Sequence, residues 1–143
     1  LRNGGMYEGI WGNVTDGNRV WIGSRNGITF GRWDHNNPMV VAADALEENR
    51  YYVVAGRMGS GTGEVQIELF INQPQAAASK PFPVNPKANS SKLAVGQERD
   101  ATNHPGKESF DGELARFLIY DRALTDDELR QTMELLKKTY AIQ

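Results

Sequence analysis

The run EVQIELFIN at residues 64–72 alternates apolar and polar side chains with a period of two. That pattern is the signature of a half-buried β-strand, with Val65, Ile67, Leu69 and Ile71 on one face and Glu64, Gln66 and Glu68 on the other. One such strand can neither satisfy its edges nor bury its apolar face alone, so it demands neighbours. The chain supplies them as short runs of strand character: MYEGIW (6–11), RVWIG (19–23), ITFGRW (28–33), MVVAA (39–43), RYYVVAG (50–56), SKLAVG (91–96) and ELARFLIY (113–120). Turn residues close each run. Asn26-Gly27 is expected to supply two positive-φ positions of a tight hairpin, and MGSGTG (58–63) a longer hairpin connection. Residues 73–90 hold four prolines and read as an extended loop, with a short edge strand at QAAAS (75–79).

The pattern changes abruptly after Tyr120. In FDGELARFLIYDRALTDDE (110–128), Thr125 and Glu128 have the spacing of a capping box, and Asp126 and Asp127 stand in the first turn, where the helix dipole favours negative charge. Leu129, Met133, Leu136 and Tyr140 follow at helical spacing, with Lys137 and Lys138 near the far end. An amphipathic helix over about 125–141 must lay this stripe on an apolar surface, and a sheet provides one. Strands over about 6–120 followed by one terminal helix predict an all-β domain spanning 1–143, an antiparallel sandwich with a C-terminal α-helix.

Composition narrows the function. The 143 residues include no cysteine, which removes disulfides, thiolate catalysis and thiolate metal sites. With 16 basic and 18 acidic residues interspersed, the net charge of −2 gives no polyanion-binding face, so nucleic acid is not expected as a partner. The longest apolar stretches, such as VVAADAL (40–46), are too short to cross a bilayer. No signal-peptide pattern opens at Leu1, so an export signal is expected to have been removed or to lie outside this sequence.

Several of these runs resemble bacterial laminin-G-like domains of the concanavalin A-like lectin/glucanase superfamily. The resemblance rests on Leu93-Ala94-Val95-Gly96, a polar loop, Phe110-Asp111-Gly112-Glu113-Leu114-Ala115, and then Phe117 through Thr125 with Glu128. EVQIELFINQPQ resembles the preceding strand, with Phe70 and Asn72 in place but Gln73 where glycine is usual; in RYYVVAGRM, Tyr51-Tyr52 replace the usual Trp-His. The likeness covers roughly 28–140 and implies a jelly-roll sandwich. Relatives usually carry one or two further strands ahead of this start, so either a trimmed sandwich or a missing preceding segment is expected.

Candidate chemistry divides into three kinds. Glycoside hydrolases of the same superfamily carry Glu-x-Asp-x-Glu on a strand, and Glu64-Val65-Gln66-Ile67-Glu68 resembles it with glutamine in place of the aspartate. Retaining hydrolysis needs carboxyl groups about 5–5.5 Å apart. Positions i and i+4 of a regular strand lie roughly 13 Å apart, so Glu64 and Glu68 would need a bulge or converging side chains to act together. Any half-exposed strand shows the same alternation without catalysis.

Metal binding is the second kind. Loops NVTDGN, DHNNP and RDATN offer hard oxygen ligands for calcium, chiefly Asp16, Asn18, Asp34 and Asp100, although Asx-turns explain the same residues without an ion. His35 and His104 have no companion ligands that would suggest zinc. The third kind is sugar recognition, which needs an aromatic platform beside oriented polar groups. Trp33 with Asp34, His35 and Asn37 is the best local cluster, and Arg99, Asn103 and His104 are candidates to share its rim; Trp33 fits a core position equally well.

The sequence therefore reads as a non-catalytic carbohydrate-binding or adhesion module. It is expected to be joined to other domains of a larger exported polypeptide in an extracellular, periplasmic or cell-surface setting, with a polysaccharide or glycan as partner. The alternatives are a structural or protein-interaction domain without a sugar site, and a glycoside hydrolase using Glu64 and Glu68.

Overall fold

The computed structural model describes residues 8–13, 20–24, 27–32, 39–43, 46–84, 93–96 and 110–143. Within them, strands β1 (Glu8–Asn13), β2 (Val20–Ser24), β3 (Ile28–Arg32), β4 (Met39–Val41) and β8 (Leu93–Val95) form one antiparallel sheet in the order β4-β3-β2-β1-β8. A second antiparallel sheet has the order β5-β6-β7, from β5 (Val54–Met58), β6 (Glu64–Ile71) and β7 (Ala78–Pro83). Helix α1 (Asp126–Thr139) closes the chain. The described residues thus form the antiparallel sandwich with a terminal helix that the periodicity predicts.

Local chemistry explains where most elements begin and end. β2 and β3 register with Ser24 opposite Ile28, so their connection is three residues and not a two-residue turn. Gly27 there has φ +126°, and a Cβ on it would lie 2.8 Å from the Ala42 carbonyl, so both backbone conformation and space exclude a side chain. β7 lies further along the chain than the short strand expected at 75–79, and it tolerates Pro81 and Pro83 because among the described residues it pairs only with β6 and sits at the sheet edge. After β6 the turn is made by Asn72 itself, at φ 55°, a conformation asparagine adopts more readily than most residues. Its side chain accepts the Val53 N–H at 2.8 Å, so the family's glycine is not needed at Gln73.

The helix starts as its sequence dictates. Thr125 Oγ1 accepts the Glu128 N–H at 3.3 Å, and the Glu128 carboxylate accepts the Thr125 N–H at 2.9 Å. At the other end Tyr140 is the cap, Ala141 is left-handed at φ 51°, and the Ile142 N–H reaches back to the Lys137 carbonyl at 2.9 Å. This is a Schellman ending, and Ile142 packs into the core beneath the helix.

Two cores result, one on each face of the second sheet. Between the sheets, Ile67 and Leu69 of β6 meet Ile28, Phe30, Val40, Ala42 and Phe82. On the opposite face Phe70, one residue out of phase, packs with Val53, Leu129 and Met133 under α1. The alternation in β6 marks one buried face, but the helix covers the other, so Phe70 is 1% exposed among otherwise polar neighbours.

Residues 113–120 depart from expectation. ELARFLIY belongs to neither sheet, and Leu114, Leu118, Ile119 and Tyr120 are exposed. The two ends of this segment are held at different layers. The Phe110 N–H bonds to the Gly96 carbonyl, just beyond β8 of the first sheet, whereas Leu124 packs in the helix-side core. The segment therefore crosses the side wall of the sandwich instead of continuing one sheet.

Gly56 shows how closely β5 is fitted. A Cβ at this position would lie 2.6 Å from two ring carbons of Phe30, a contact no real side chain makes. Gly56→Ala is expected to destabilise the domain by about 1–3 kcal/mol through overpacking. Urea unfolding checks this, and a Phe30→Leu background is expected to reduce the loss.

Candidate functional site

Among the described residues, β5 has a sheet neighbour on one side only, β6. Along its other edge lies a groove of about 1030 Å³, walled on the far side by the 110–124 segment. Its floor reaches Phe30 of the inter-sheet core at one level and Leu129 and Met133 of the helix-side core at another. The groove is thus the seam where both cores approach the surface, and its volume lies at the upper end of ligand pockets, about 300–1,000 Å³.

Aromatic side chains from both walls meet this space. Tyr51 and Tyr52 lead into β5; Phe110, Phe117 and Tyr120 come from the opposite segment. Tyr51 is 47% exposed and Tyr120 48% exposed, so both offer ring surface to a ligand. Tyr52 is half-buried, its hydroxyl accepting the Glu47 N–H at 2.9 Å and its ring lying 5.9 Å from the Arg50 guanidinium carbon. The Tyr51 hydroxyl donates to the Glu113 carboxylate and ties the two walls together; that hydrogen bond is the main reason its pKa is raised. Charges lining the groove balance: Glu48, Asp111, Glu113 and Asp121 against Arg50, Arg57, Arg116 and Arg122.

Arg57 fixes the helix end of the groove. From the helix-side face of β5 its Nε donates to Glu68 at 2.6 Å, and its Nη1 donates to the Leu124 carbonyl at 3.0 Å and to Asp126 at 2.7 Å. The guanidinium carbon stands 5.2 Å from the Phe70 ring centre, within cation–π range. One side chain thereby links two strands, the crossing segment and the first turn of the helix. Its pKa is raised, chiefly by the hydrogen bond to Glu68.

Glu64 and Glu68 lie four residues apart on β6. β6 keeps uninterrupted register with β7 from Glu64 to Leu69 and with β5 from Ile67 to Ile71, so no bulge draws the two carboxylates together. Glu68 is bound to Arg57 on the face that the helix covers.

The loop candidates Trp33, Asp34, His35, Asn37, Arg99, Asn103 and His104 lie outside the described residues, as do the calcium candidates Asp16, Asn18 and Asp100 with Asp34. Among the described residues no three His, Cys, Asp or Glu side chains gather as a metal site, and no helix is long and apolar enough to cross a membrane. What the structure does bring together is a set the sequence offered only as strand residues. The doublet Tyr51-Tyr52 was the available signal: adjacent strand positions face opposite ways, so two bulky aromatics there place at least one ring away from a single core.

The family model Laminin_G_3, described as Concanavalin A-like lectin/glucanases superfamily, matches residues 2–130. The chain belongs to this family. The laminin-G-like resemblance, placed at roughly 28–140, is therefore correct, and the family match begins earlier, at residue 2. No curated protein matches the sequence. Among solved structures, the laminin-G-like domain is similar to an S-layer domain-containing protein (residues 221–444) from Clostridium thermocellum, at 20% identity and a TM-score of 0.47 over 93% of this chain. The domain spans 65% of the length of that chain.

The groove's helix end carries a second ion pair with a measurable signature. Arg122 donates to both carboxylate oxygens of Glu128, at 2.7 and 2.6 Å. Together with the Thr125 N–H, it lowers the Glu128 pKa to about 2. A carboxyl depressed on folding adds stability above its unfolded pKa, and that contribution disappears as pH falls through the folded value. Glu128→Gln is therefore expected to melt below wild type above about pH 5, with the difference closing towards about pH 2. Thermal melts of both proteins across this range check the sign.

Proposed function

We propose that this laminin-G-like domain is a non-catalytic carbohydrate-binding or adhesion module of a larger exported or surface polypeptide, and that its recognition surface is the groove beside β5. The observation that carries this reading is that two exposed aromatic rings, Tyr51 and Tyr120, and equal numbers of acidic and basic side chains line the same groove. Sugars present apolar C–H faces ringed by hydroxyls. They suit an aromatic platform flanked by carboxylates and guanidinium groups that accept and donate hydrogen bonds. A groove of near-zero local charge favours an uncharged glycan over a polyanion.

Family membership supports the same class of ligand, and it carries no specificity, since one fold hosts many sites. The commitment of Glu68 to Arg57 argues for binding without hydrolysis. The loop surface around Trp33 and a calcium ion on Asp16, Asn18, Asp34 and Asp100 remain a second proposed locus, which the experiment below separates from the groove.

Immobilised glycan panels, probed with and without a calcium chelator, test the reading. At least one neutral glycan is expected to bind. Tyr51→Ala and Tyr120→Ala are each expected to weaken that binding about tenfold, equivalent to about 1.4 kcal/mol, while Trp33→Ala leaves it unchanged. Retention of no glycan under either condition would defeat the reading, and a loss confined to Trp33→Ala would move the site to the loops.

A further inference from the structure

Arg57 lines the groove, whereas the two acids that hold it, Glu68 and Asp126, do not. A guanidinium carries five N–H donors. Nε gives its hydrogen to Glu68 at 2.6 Å, and Nη1 gives both of its own, to Asp126 at 2.7 Å and to the Leu124 carbonyl at 3.0 Å. Nη2 has no partner among the described residues, so the two donors on that nitrogen are left over. The side chain is 17% exposed, which shelters these donors from most of the solvent while leaving the group accessible.

The setting restricts what such a nitrogen can recognise. Its position is set in advance, because both carboxylates and the Phe70 ring, 5.2 Å from the guanidinium carbon, hold the group, and little freedom is lost when a ligand binds. One positive charge faces two carboxylates, so the cluster is net negative and disfavours an anionic ligand. With Nε and Nη1 both spent, no pair of nitrogens is left to clamp a carboxylate or phosphate. A neutral oxygen acceptor is the group that remains.

The neighbours narrow the acceptor further. Ala55, two residues before Arg57 on the same face of β5, and Leu124 both line the groove and pack against the helix-side core. A ligand group matched to this corner combines an acceptor oxygen with a small apolar part. A hydroxyl supplies only the first. An acetamido group supplies both, through its carbonyl and its methyl.

We infer that Arg57 Nη2 is the specificity donor of the groove and that its ligands are glycans bearing N-acetylated sugars, the acetamido carbonyl on Nη2 and the methyl against Ala55 and Leu124. Glu68 and Asp126 are positioning residues behind it. The inference rests on the proposed glycan site and names its substrate class. A sugar with a hydroxyl in place of the acetamido group leaves the apolar wall uncovered and offers Nη2 a weaker acceptor.

Matched oligosaccharides test this on the full wild-type chain. Oligomers of N-acetylglucosamine and of glucose in the same linkage and length differ only at C2, as do those of N-acetylgalactosamine and galactose. In at least one pair the acetamido member is expected to bind about tenfold more tightly. If neither pair favours the acetamido member while some glycan is retained, the inference falls and the proposed function stands; if no glycan is retained at all, both fall. Arg57→Lys keeps a cation for Glu68 and Asp126 but has no Nη2, so its preference within the pair is expected to shrink to about twofold or less. A folded Arg57→Lys protein with undiminished preference would overturn the assignment. A crystal structure of the wild-type chain with the preferred oligomer decides the same point without a variant: the acetamido oxygen is expected about 2.7–3.2 Å from Nη2, and an acetamido group seated elsewhere would contradict it.

Discussion

The domain depends on one strand that is buried on both faces. β6 sends Ile67 and Leu69, each fully buried, into the space between the sheets, and sends Phe70 the other way under the helix. A three-stranded sheet with one wet face would be a thin partner for the five-stranded sheet. Covered by α1 it becomes the middle of three layers, and the terminal helix is then part of the core structure instead of an appendage. Phe70 is where the layers meet, since it touches Val53 beside it, Leu129 and Met133 above it, and the Arg57 guanidinium across its ring.

The position of the helix fixes everything beside it. Because α1 starts above β5, with Asp126 drawn to Arg57, the chain that leads into the helix must climb from the level of Gly96 to that of the outer layer. That climb runs along the edge of β5 that has no strand neighbour among the described residues, and it leaves the groove. The polar residues here hold the fold together and, under the proposed function, would also face the ligand. Arg57 and Arg122 hold the helix start, and the same guanidinium groups line the space that the proposed ligand would occupy.

Much of this was legible before any coordinates. The period-two run of β6, the hairpin with β5 and the capping box at Thr125 are local patterns; β6 and the cap appear where their residues place them, while β5 runs from Val54 to Met58, four residues later at its start than the run RYYVVAG. Phe70 was not legible as a core residue because it falls on the polar phase of its strand; only knowing where the helix lands reveals it. ELARFLIY carries the composition of a strand, but membership of a sheet is decided by non-local pairing, and the anchors at Gly96 and Arg57 are far from it in sequence. The groove is harder still, since Tyr51 and Tyr120 are separated by nearly half the length of the chain. Sequence reasoning favoured Trp33 and its neighbours because they are contiguous, and contiguity is a weak guide to a surface assembled from separate elements. The loops that held those candidates lie outside the described residues, whereas the groove is built from residues that the structure places.

The central claim, that the helix and both sheets form one cooperative unit through β6, is tested most directly by Phe70→Ala. Urea unfolding followed by both far-ultraviolet circular dichroism and tryptophan fluorescence is expected to show one coincident transition, with stability lowered by about 3–5 kcal/mol. A loss below about 1 kcal/mol, or helix signal that melts apart from the fluorescence transition, would contradict it.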